Sequence, residues 1–169
     1  MAARSTLNTD EGTRLRMSRQ RSRDTDPERV LRSLLHRMGL RFRVHRRPVA
    51  GVRREADLVF ATARVAVFVD GCFWHRCPEH ATFPKNNGPW WEAKLAANAA
   101  RDADTDRRLA EAGWHVVRVW EHEEAAGAAA RVAKVVRARS AGRNRRGQRV
   151  VGPQVHSSAE RNRILRPKA

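Results

Sequence analysis

Residues 55–80, EADLVFATARVAVFVDGCFWHRCPEH, contain two short apolar runs and the polar loop that together decide the fold. The runs 56–60 and 64–70 are separated by a turn at Ala61–Arg64, which predicts two neighbouring strands. The second run is apolar almost throughout and is typical of a central strand buried on both faces. The loop that follows therefore carries its cysteines, histidines and aromatic side chains at one end of a central strand.

Helices are predicted on both sides of these strands. Asp26 followed by Pro27 is a typical helix cap and first turn, and apolar residues then recur at helical spacing as far as Gly39. A long helix is predicted from about Pro89 to Gly113, because alanine, leucine and charged residues are strong helix formers. A last helix is predicted in the alanine-rich segment that follows Glu123.

Two further strands complete the predicted sheet. Residues 40–49 alternate apolar and basic side chains, as in a half-exposed strand, and residues 114–121 are apolar and follow the long helix. A strand–helix–strand unit implies a right-handed crossover, whereas a short turn joins antiparallel strands. We therefore expect an α/β domain, with a central mixed sheet flanked by helices.

The two ends of the chain differ in composition from this central part. Residues 1–16 are polar and have no hydrophobic period, so we expect a flexible N-terminal tail. From Arg137 onward there are ten basic residues and one acidic residue. We expect the folded domain to span residues 17–139 and residues 140–169 to form a basic disordered tail. That tail either binds nucleic acid electrostatically or is dispensable.

The composition narrows the class of partner. The chain has 169 residues and a net charge of +17. This charge favours a polyanionic partner, most simply nucleic acid, and the alternative is an arginine-rich surface that is only solvated. Two cysteines without a signal peptide fit metal binding in a reducing compartment better than a disulfide. Neither a membrane-spanning apolar run nor a secretion signal is recognisable, so we expect a cytoplasmic, nucleoid-associated protein.

Cysteine and histidine are concentrated in the loop after the central strand. Cys72, Cys77 and His80 follow one another as C-x4-C-x2-H, and thiolates with imidazoles are the ligands that Zn²⁺ selects. His122 follows the last predicted strand and reaches the same loop if that strand lies beside the central one. We expect a closed, structural zinc site rather than free buried cysteines. The alternatives to His122 as fourth ligand are Glu79 and Glu121.

An acid and a histidine near the same sheet end indicate phosphodiester chemistry. Asp57 begins an apolar strand, where a carboxylate can hold Mg²⁺. Mg²⁺ there would activate water and shield charge on a scissile phosphate. His75, next to Trp74, could take or relay the proton of that water. An acid at a strand end is usually only solvated, so the catalytic interpretation of Asp57 depends on the nearby His75 and on the basic surface.

The segments FVDGCFWHRCP (68–78) and AGWHVVRVWE (112–121), with the acid on the preceding strand, resemble the very-short-patch mismatch repair endonucleases (Vsr). The resemblance extends from about Met17 to Glu123. It implies the restriction-endonuclease-like fold with a variant PD-(D/E)xK site. It also implies Mg²⁺-dependent nicking of one strand 5′ of the thymine in a T:G mismatch, which arises by deamination of 5-methylcytosine.

The resemblance implies a role for individual residues of this chain. Asp57 matches the metal-binding aspartate of the family, and the backbone carbonyl of Val69 matches its second metal contact. His75 matches the histidine implicated in proton transfer, and Asp102 matches an acid that supports it. Glu28 matches a glutamate that holds metal-bound water.

Other residues match the parts of the family that sense the mismatch. Phe73 and Trp74 match aromatics that wedge into the base stack, and Met17 matches a residue that enters from the other groove. A mismatched step is cheaper to unstack than a paired one, and aromatic rings fill the gap. The alternatives are core packing for the aromatic pair and phosphate contacts for the arginine-rich arm around Met17.

The sequence also departs from the family motif. Ala56 stands in place of the usual proline, with Glu55 as an added acid; alanine can hold an extended backbone, so activity is still expected. Asp70 stands where some relatives have a second histidine and could bind a metal directly. No lysine occupies the last motif position, which fits a variant that uses histidine. The zinc ligand set is a less cysteine-rich variant of the family pattern.

Three functions are compatible with these observations. The leading interpretation is a strand-nicking repair endonuclease that acts on double-stranded DNA with a T:G mismatch. We expect it to be a monomer, because one nick needs one active site, and repair-pathway proteins are candidate partners. The alternatives are a restriction or defence endonuclease of the same fold that cuts matched or modified DNA, and a zinc-stabilised DNA-binding module without catalysis.

Overall fold

The computed structural model describes residues 23–80, 82–84 and 86–148. The helices and strands follow one another in the order expected from the sequence. They are α1 (Asp26–Arg37), β1 (Arg43–Arg46), β2 (Ala56–Phe60), β3 (Val65–Asp70), α2 (Gly88–Glu111), β4 (His115–Trp120) and α3 (Ala125–Gln148).

The four strands form one mixed sheet in the order β1-β2-β3-β4. β1 pairs with β2 and β2 pairs with β3 in antiparallel fashion, whereas β3 and β4 are parallel and are connected through α2. The prediction of an α/β domain with a central mixed sheet is therefore confirmed. Because β3 and β4 are parallel neighbours, the segments after Asp70 and after Trp120 emerge at the same edge of the sheet.

Apolar side chains cover the sheet on both faces. One face packs against α1 and α3, and the other packs against α2. The sequence of β3 explains why both faces are covered, because alternate residues of a strand point to opposite faces and both sets are apolar in β3. The larger core contains, among others, Leu31, Leu35, Leu58, Phe60, Val65, Val67, Val117 and Val132. The smaller core contains Ala56, Val59, Ala66 and Leu109.

The structure shifts the predicted start of α1 by one residue. Asp26 was expected to be the cap, but Thr25 occupies that position and Asp26 is the first helical residue. The carbonyl of Thr25 accepts the N–H of Arg29, which makes Thr25 the residue that closes the first helical hydrogen bond. β1 is also shorter than residues 40–49, because only four residues pair with β2.

The last helix is longer than the sequence indicated. α3 continues to Gln148 and so includes residues 140–148, which were assigned to a disordered tail. This stretch contains Gly142 and Gly147, which have low helix propensity, so its composition favoured a tail and does not by itself account for the extension. Residues 1–22 and 149–169 lie outside the described part of the chain. No helix within the described ranges has the length and apolarity needed to cross a bilayer.

Candidate active site

Asp57 is held at the centre of the sheet edge by a backbone hydrogen bond. Its Oδ2 accepts the N–H of Val69 at 2.7 Å, across the β2–β3 pair. Burial is the main reason that the pKa of Asp57 is raised to about 6; the Val69 N–H opposes the shift, and the charge of Glu28 adds to it. Among the described residues, no lysine or arginine forms an ion pair with this carboxylate.

Glu28 is a buried acid in the first turn of α1, with only 4% of its surface exposed. It accepts hydrogen bonds from the Thr25 hydroxyl at 3.0 Å, from the Asp24 N–H at 3.1 Å and from Arg32 at 2.6 Å. Three donors satisfy the hydrogen-bonding capacity of the buried carboxylate. Arg32 forms an ion pair with Glu28, so the carboxylate left to attract a divalent cation is that of Asp57.

His75 and Asp102 form a pair between the loop after β3 and α2. Nδ1 of His75 lies 2.6 Å from Oδ2 of Asp102, and the His75 N–H donates to the carbonyl of Gly71. Burial lowers the pKa of His75, but the hydrogen bond to Asp102 and the charges of Asp70 and Asp102 outweigh it, so the pKa is raised. The sequence suggested both residues, and the structure brings them together.

Asp70 does not present a free carboxylate. It is buried, and both of its oxygens accept from Nη1 of Arg118, at 3.0 and 2.8 Å. One guanidinium nitrogen bridges both oxygens and its charge already balances that of the buried carboxylate, which weakens the expectation that Asp70 binds a metal directly. Arg118 also donates to Asp106, from Nε at 3.0 Å and from Nη2 at 2.9 Å, so it joins β3 and β4 to α2.

Arg118 is a site residue that the sequence reading missed. It lies in the edge strand β4, between the buried residues Val117 and Val119, and a charged residue that is partly buried among apolar neighbours usually has an ion-pair partner. That position was the signal that could have identified it.

The predicted metal ligands lie together at the same sheet edge. The ligand atoms of Cys72, Cys77, His80 and His122 are all within 4.8 Å of one another. Nδ1 of His122 is 3.0 Å from Sγ of Cys72 and 3.7 Å from Sγ of Cys77. A tetrahedral Zn²⁺ with bonds of about 2.0–2.3 Å needs ligand atoms about 3.3–3.8 Å apart, so small side-chain adjustments would bring these four atoms to the geometry of a zinc site.

The two glutamates considered as alternative ligands have other contacts. Glu121 accepts the N–H of Cys72 at 2.6 Å, which fixes the backbone beneath the cluster. Glu79 lies 3.6 Å from Nε2 of His122, where a carboxylate would orient a metal-bound imidazole. Burial, together with Cys77 and Glu121, raises the pKa of Cys72 to about 11, so a bound cation is needed to keep this residue a thiolate at neutral pH.

The aromatic pair of the loop is part of a larger cluster. The rings of Phe73 and Trp74 are half-exposed and meet edge to face, with centroids 5.1 Å apart. Trp91 of α2 packs against both, at 5.1 and 5.9 Å, and Trp90 packs on Trp91 at 4.8 Å. Trp90 and Trp91 were not expected in this cluster from the sequence, although two adjacent tryptophans at the start of α2 could have indicated it. Met17 lies outside the described residues.

Comparison with known proteins assigns this arrangement to a family. The family model described as DNA mismatch endonuclease Vsr matches residues 7–80. The type II nicking enzyme V.NaeI of Lentzea aerocolonigenes is 46% identical, over 69% of this chain and 71% of the relative. V.XorIIP of Xanthomonas oryzae pv. oryzae, also a type II nicking enzyme, is 43% identical, over 67% of this chain and 82% of the relative. The DNA mismatch endonuclease Vsr of Escherichia coli is 37% identical, over 66% of this chain and 71% of the relative.

Proposed function

This chain belongs to the Vsr family and is a DNA endonuclease, and from that premise we propose that it nicks one strand 5′ of the thymine in a T:G mismatch. The reaction is hydrolysis of a phosphodiester and depends on Mg²⁺. The observation that carries the proposal is the approach of a buried acid, Asp57, and a histidine–acid pair, His75 and Asp102, to one edge of the sheet beside half-exposed aromatic rings.

Asp57 and the carbonyl of Val69 are the proposed contacts of the cation, and Glu28 orients its water. A divalent cation at this place would supply an acidified water and neutralise charge on the phosphate. Oδ2 of Asp57 is turned toward Val69 by the backbone hydrogen bond, which leaves Oδ1 to bind. The three donors around Glu28 fix the orientation of its carboxylate, as a residue that orients water requires.

His75 is the proposed proton carrier. Because Nδ1 is bound to Asp102, Nε2 is the nitrogen left to take a proton or to return one to the leaving oxygen. Asp102 keeps the ring in one orientation and stabilises the imidazolium once it forms. Arg118 holds Asp70 and α2 in place behind this pair.

Phe73 and Trp74 are proposed to enter the base stack beside the mismatch, supported from behind by Trp91. Met17 is proposed to enter from the opposite groove. Edge-to-face packing keeps the rings at fixed angles, so they can displace a weakly stacked step without first becoming ordered. The net charge of +17 supplies attraction to the phosphates on either side.

Zn²⁺ is proposed to bind the cluster of Cys72, Cys77, His80 and His122. Four protein ligands leave no position for water, so the ion is structural rather than catalytic. It joins the loop after β3 to the segment after β4. We further propose that the enzyme acts as a monomer on DNA in the cytoplasm, with repair-pathway proteins as candidate partners.

A second candidate function is a nicking endonuclease of a restriction or defence system that cuts matched or modified DNA. Two relatives described as type II nicking enzymes, V.NaeI and V.XorIIP, favour it. Because the chain is an endonuclease by family, the interpretation as a DNA-binding module without catalysis is set aside.

A nicking assay separates the two candidates. End-labelled duplexes with one T:G mismatch in varied contexts are compared with T:A, C:G and methylated C:G duplexes, with and without Mg²⁺. We expect one Mg²⁺-dependent cut 5′ of the mismatched thymine, lost in His75→Ala and kept in His115→Ala. His115 is a matched control because it is exposed at the opposite end of β4. Equal cutting of matched or methylated duplexes would favour the restriction function.

A further inference from the structure

His45 lies directly across the sheet from Asp57. The antiparallel pairs Val44–Leu58 and Arg46–Ala56 flank His45, which places it opposite Asp57, and the two side chains approach each other. Its φ of 48° is in the left-handed region, which is unfavourable for a side chain other than glycine. Residues held in such a conformation concentrate at binding and active sites.

The distance between the two side chains fits a shared cation rather than a hydrogen bond. Nδ1 of His45 is 3.9 Å from Oδ1 of Asp57, the oxygen that Val69 leaves available. This is too long for a hydrogen bond. Ligand atoms at about 2.1 Å from one octahedral ion are about 3 Å apart when adjacent and about 4.2 Å apart when opposite. The separation of 3.9 Å lies between these values, so a small shift of either side chain would bring both atoms to one ion.

The other ring nitrogen is placed as in a metal-binding histidine. Nε2 of His45 is 3.2 Å from Oδ1 of Asp24, and a carboxylate can only accept. In the tautomer that donates from Nε2 to Asp24, the lone pair of Nδ1 faces Asp57. Metal-bound histidines characteristically donate their second N–H to a carboxylate in this way.

Arg32 also approaches Nε2, with its Nη2 at 3.0 Å. The same Nη2 donates to Glu28 at 2.6 Å, and Nη1 pairs with Asp24. The guanidinium balances the charges of these two acids. Because its Nη2 can only donate, the 3.0 Å contact favours the other tautomer of His45 in the metal-free protein, and a cation at Nδ1 would select the tautomer that donates to Asp24. This balance also argues against a separate cation among Asp24, Glu28 and His45, because a positive charge already occupies that cluster.

We propose that His45 is a further ligand, through Nδ1, of the divalent cation at Asp57. The inference rests on the proposed function, since it concerns the same catalytic site. An imidazole nitrogen in a set of oxygen ligands favours a first-row transition ion over Mg²⁺. We therefore expect His45 to strengthen the binding of Mn²⁺ more than the binding of Mg²⁺.

Mn²⁺ binding to the full, untagged chain tests this proposal without DNA. The protein is first saturated with zinc, so that the cysteine cluster is closed to Mn²⁺. Electron paramagnetic resonance measures the Mn²⁺ affinity, and spin-echo modulation detects a directly bound nitrogen. We expect bound imidazole nitrogen in the wild type, loss of that signal in His45→Phe, and a decrease in affinity of about tenfold or more.

His75→Phe is the matched control, because it removes the other histidine of the site. It is expected to keep the nitrogen signal. Asp24→Asn keeps His45 but weakens its orientation, so the nitrogen signal should remain while the Mn²⁺ affinity falls. Circular dichroism shows whether His45→Phe is folded, and Asp24→Asn tests the same ligand if it is not. Absence of a nitrogen signal in the wild type, or its persistence in a folded His45→Phe, overturns the proposal.

The nicking assay keeps this proposal separate from the proposed function. Cutting 5′ of a T:G mismatch without a nitrogen signal would overturn the role of His45 alone. A nitrogen signal that depends on His45, with equal cutting of matched duplexes, would support the ligand and overturn the mismatch specificity.

Discussion

Nδ1 of His75 lies 2.6 Å from Oδ2 of Asp102, so a histidine of the loop after β3 is oriented by an acid of α2. The two residues are 27 positions apart and belong to different elements. Their contact depends on the packing of α2 across the sheet, which also involves Arg118. The proton chemistry proposed for the enzyme therefore depends on the position of a helix as much as on the histidine itself.

Asp102→Asn should lower the single-turnover nicking rate by about 10²–10⁴-fold. An amide cannot stabilise the imidazolium and permits the wrong tautomer of His75. Asp104→Asn, on the same helix, is the control, because Asp104 is paired with Arg107 and Arg108 away from the site. A rate for Asp102→Asn within a few-fold of the wild type would argue against His75 as proton carrier.

Asp57→Asn should stabilise the protein in the absence of Mg²⁺ at pH 7.5. The pKa of Asp57 is raised to about 6, above the value of about 3.9 in an unfolded chain, so the folded state binds the proton more tightly. The free energy of unfolding therefore falls as the pH rises from about 4 to about 6 and stays low above that range. The shift corresponds to at most about 3 kcal/mol.

Thermal unfolding at two pH values tests this prediction. The melting temperature of Asp57→Asn should exceed that of the wild type at pH 7.5, and the difference should vanish near pH 4. Glu55→Gln, which alters the more exposed neighbouring acid, should show no such gain. An Asp57→Asn protein that melts lower than the wild type at pH 7.5 contradicts the argument from burial.

Cys77→Ser should remove zinc and destabilise the domain. A lost ligand opens the cluster, and the binding energy of a structural zinc contributes directly to folding. A loss of about 3 kcal/mol would lower the melting temperature by about 10 °C. Zinc content by mass spectrometry and thermal unfolding are measured together; wild-type protein that is fully folded without zinc would refute the structural role.

Trp74→Ala should weaken binding to a T:G duplex by about 10- to 100-fold, because base–aromatic stacking contributes about 1–3 kcal/mol. Binding to a matched duplex should change little. Phe83→Ala is the control, since Phe83 is exposed in the same connection but packs on Arg76 rather than on the aromatic cluster. Equal losses for the mismatched and matched duplexes would point to a general packing role.

Arg118→Met should destabilise the protein by about 3–5 kcal/mol, because it leaves Asp70 buried and unpaired. The double variant Asp70→Asn, Arg118→Met should recover much of this loss, since no buried charge remains without a partner. Urea unfolding of the two single variants and the double variant forms a thermodynamic cycle. Strictly additive losses would show that the two residues are not coupled.

Local sequence patterns predicted the elements but not all of the contacts between them. β2 and β3 were evident because their apolar runs are bounded by a turn, and the four cluster ligands followed from the position of β4 beside β3. His45 and Arg118 were missed, because each contacts an acid on a neighbouring strand and the register between two strands cannot be read from either segment alone. Asp70 was expected as a free acid for the same reason, because its partner lies 48 residues away.

The loop after β3 carries, within six residues, two of the four cluster ligands, the aromatic rings and His75. On the proposed function, the residues that detect a mismatch and the residue that moves the proton cannot be displaced independently. A duplex that fails to admit the rings would leave His75 out of line with the phosphate. Fidelity would then appear as a slow chemical step on the wrong substrate, even where that substrate is bound as tightly as the correct one.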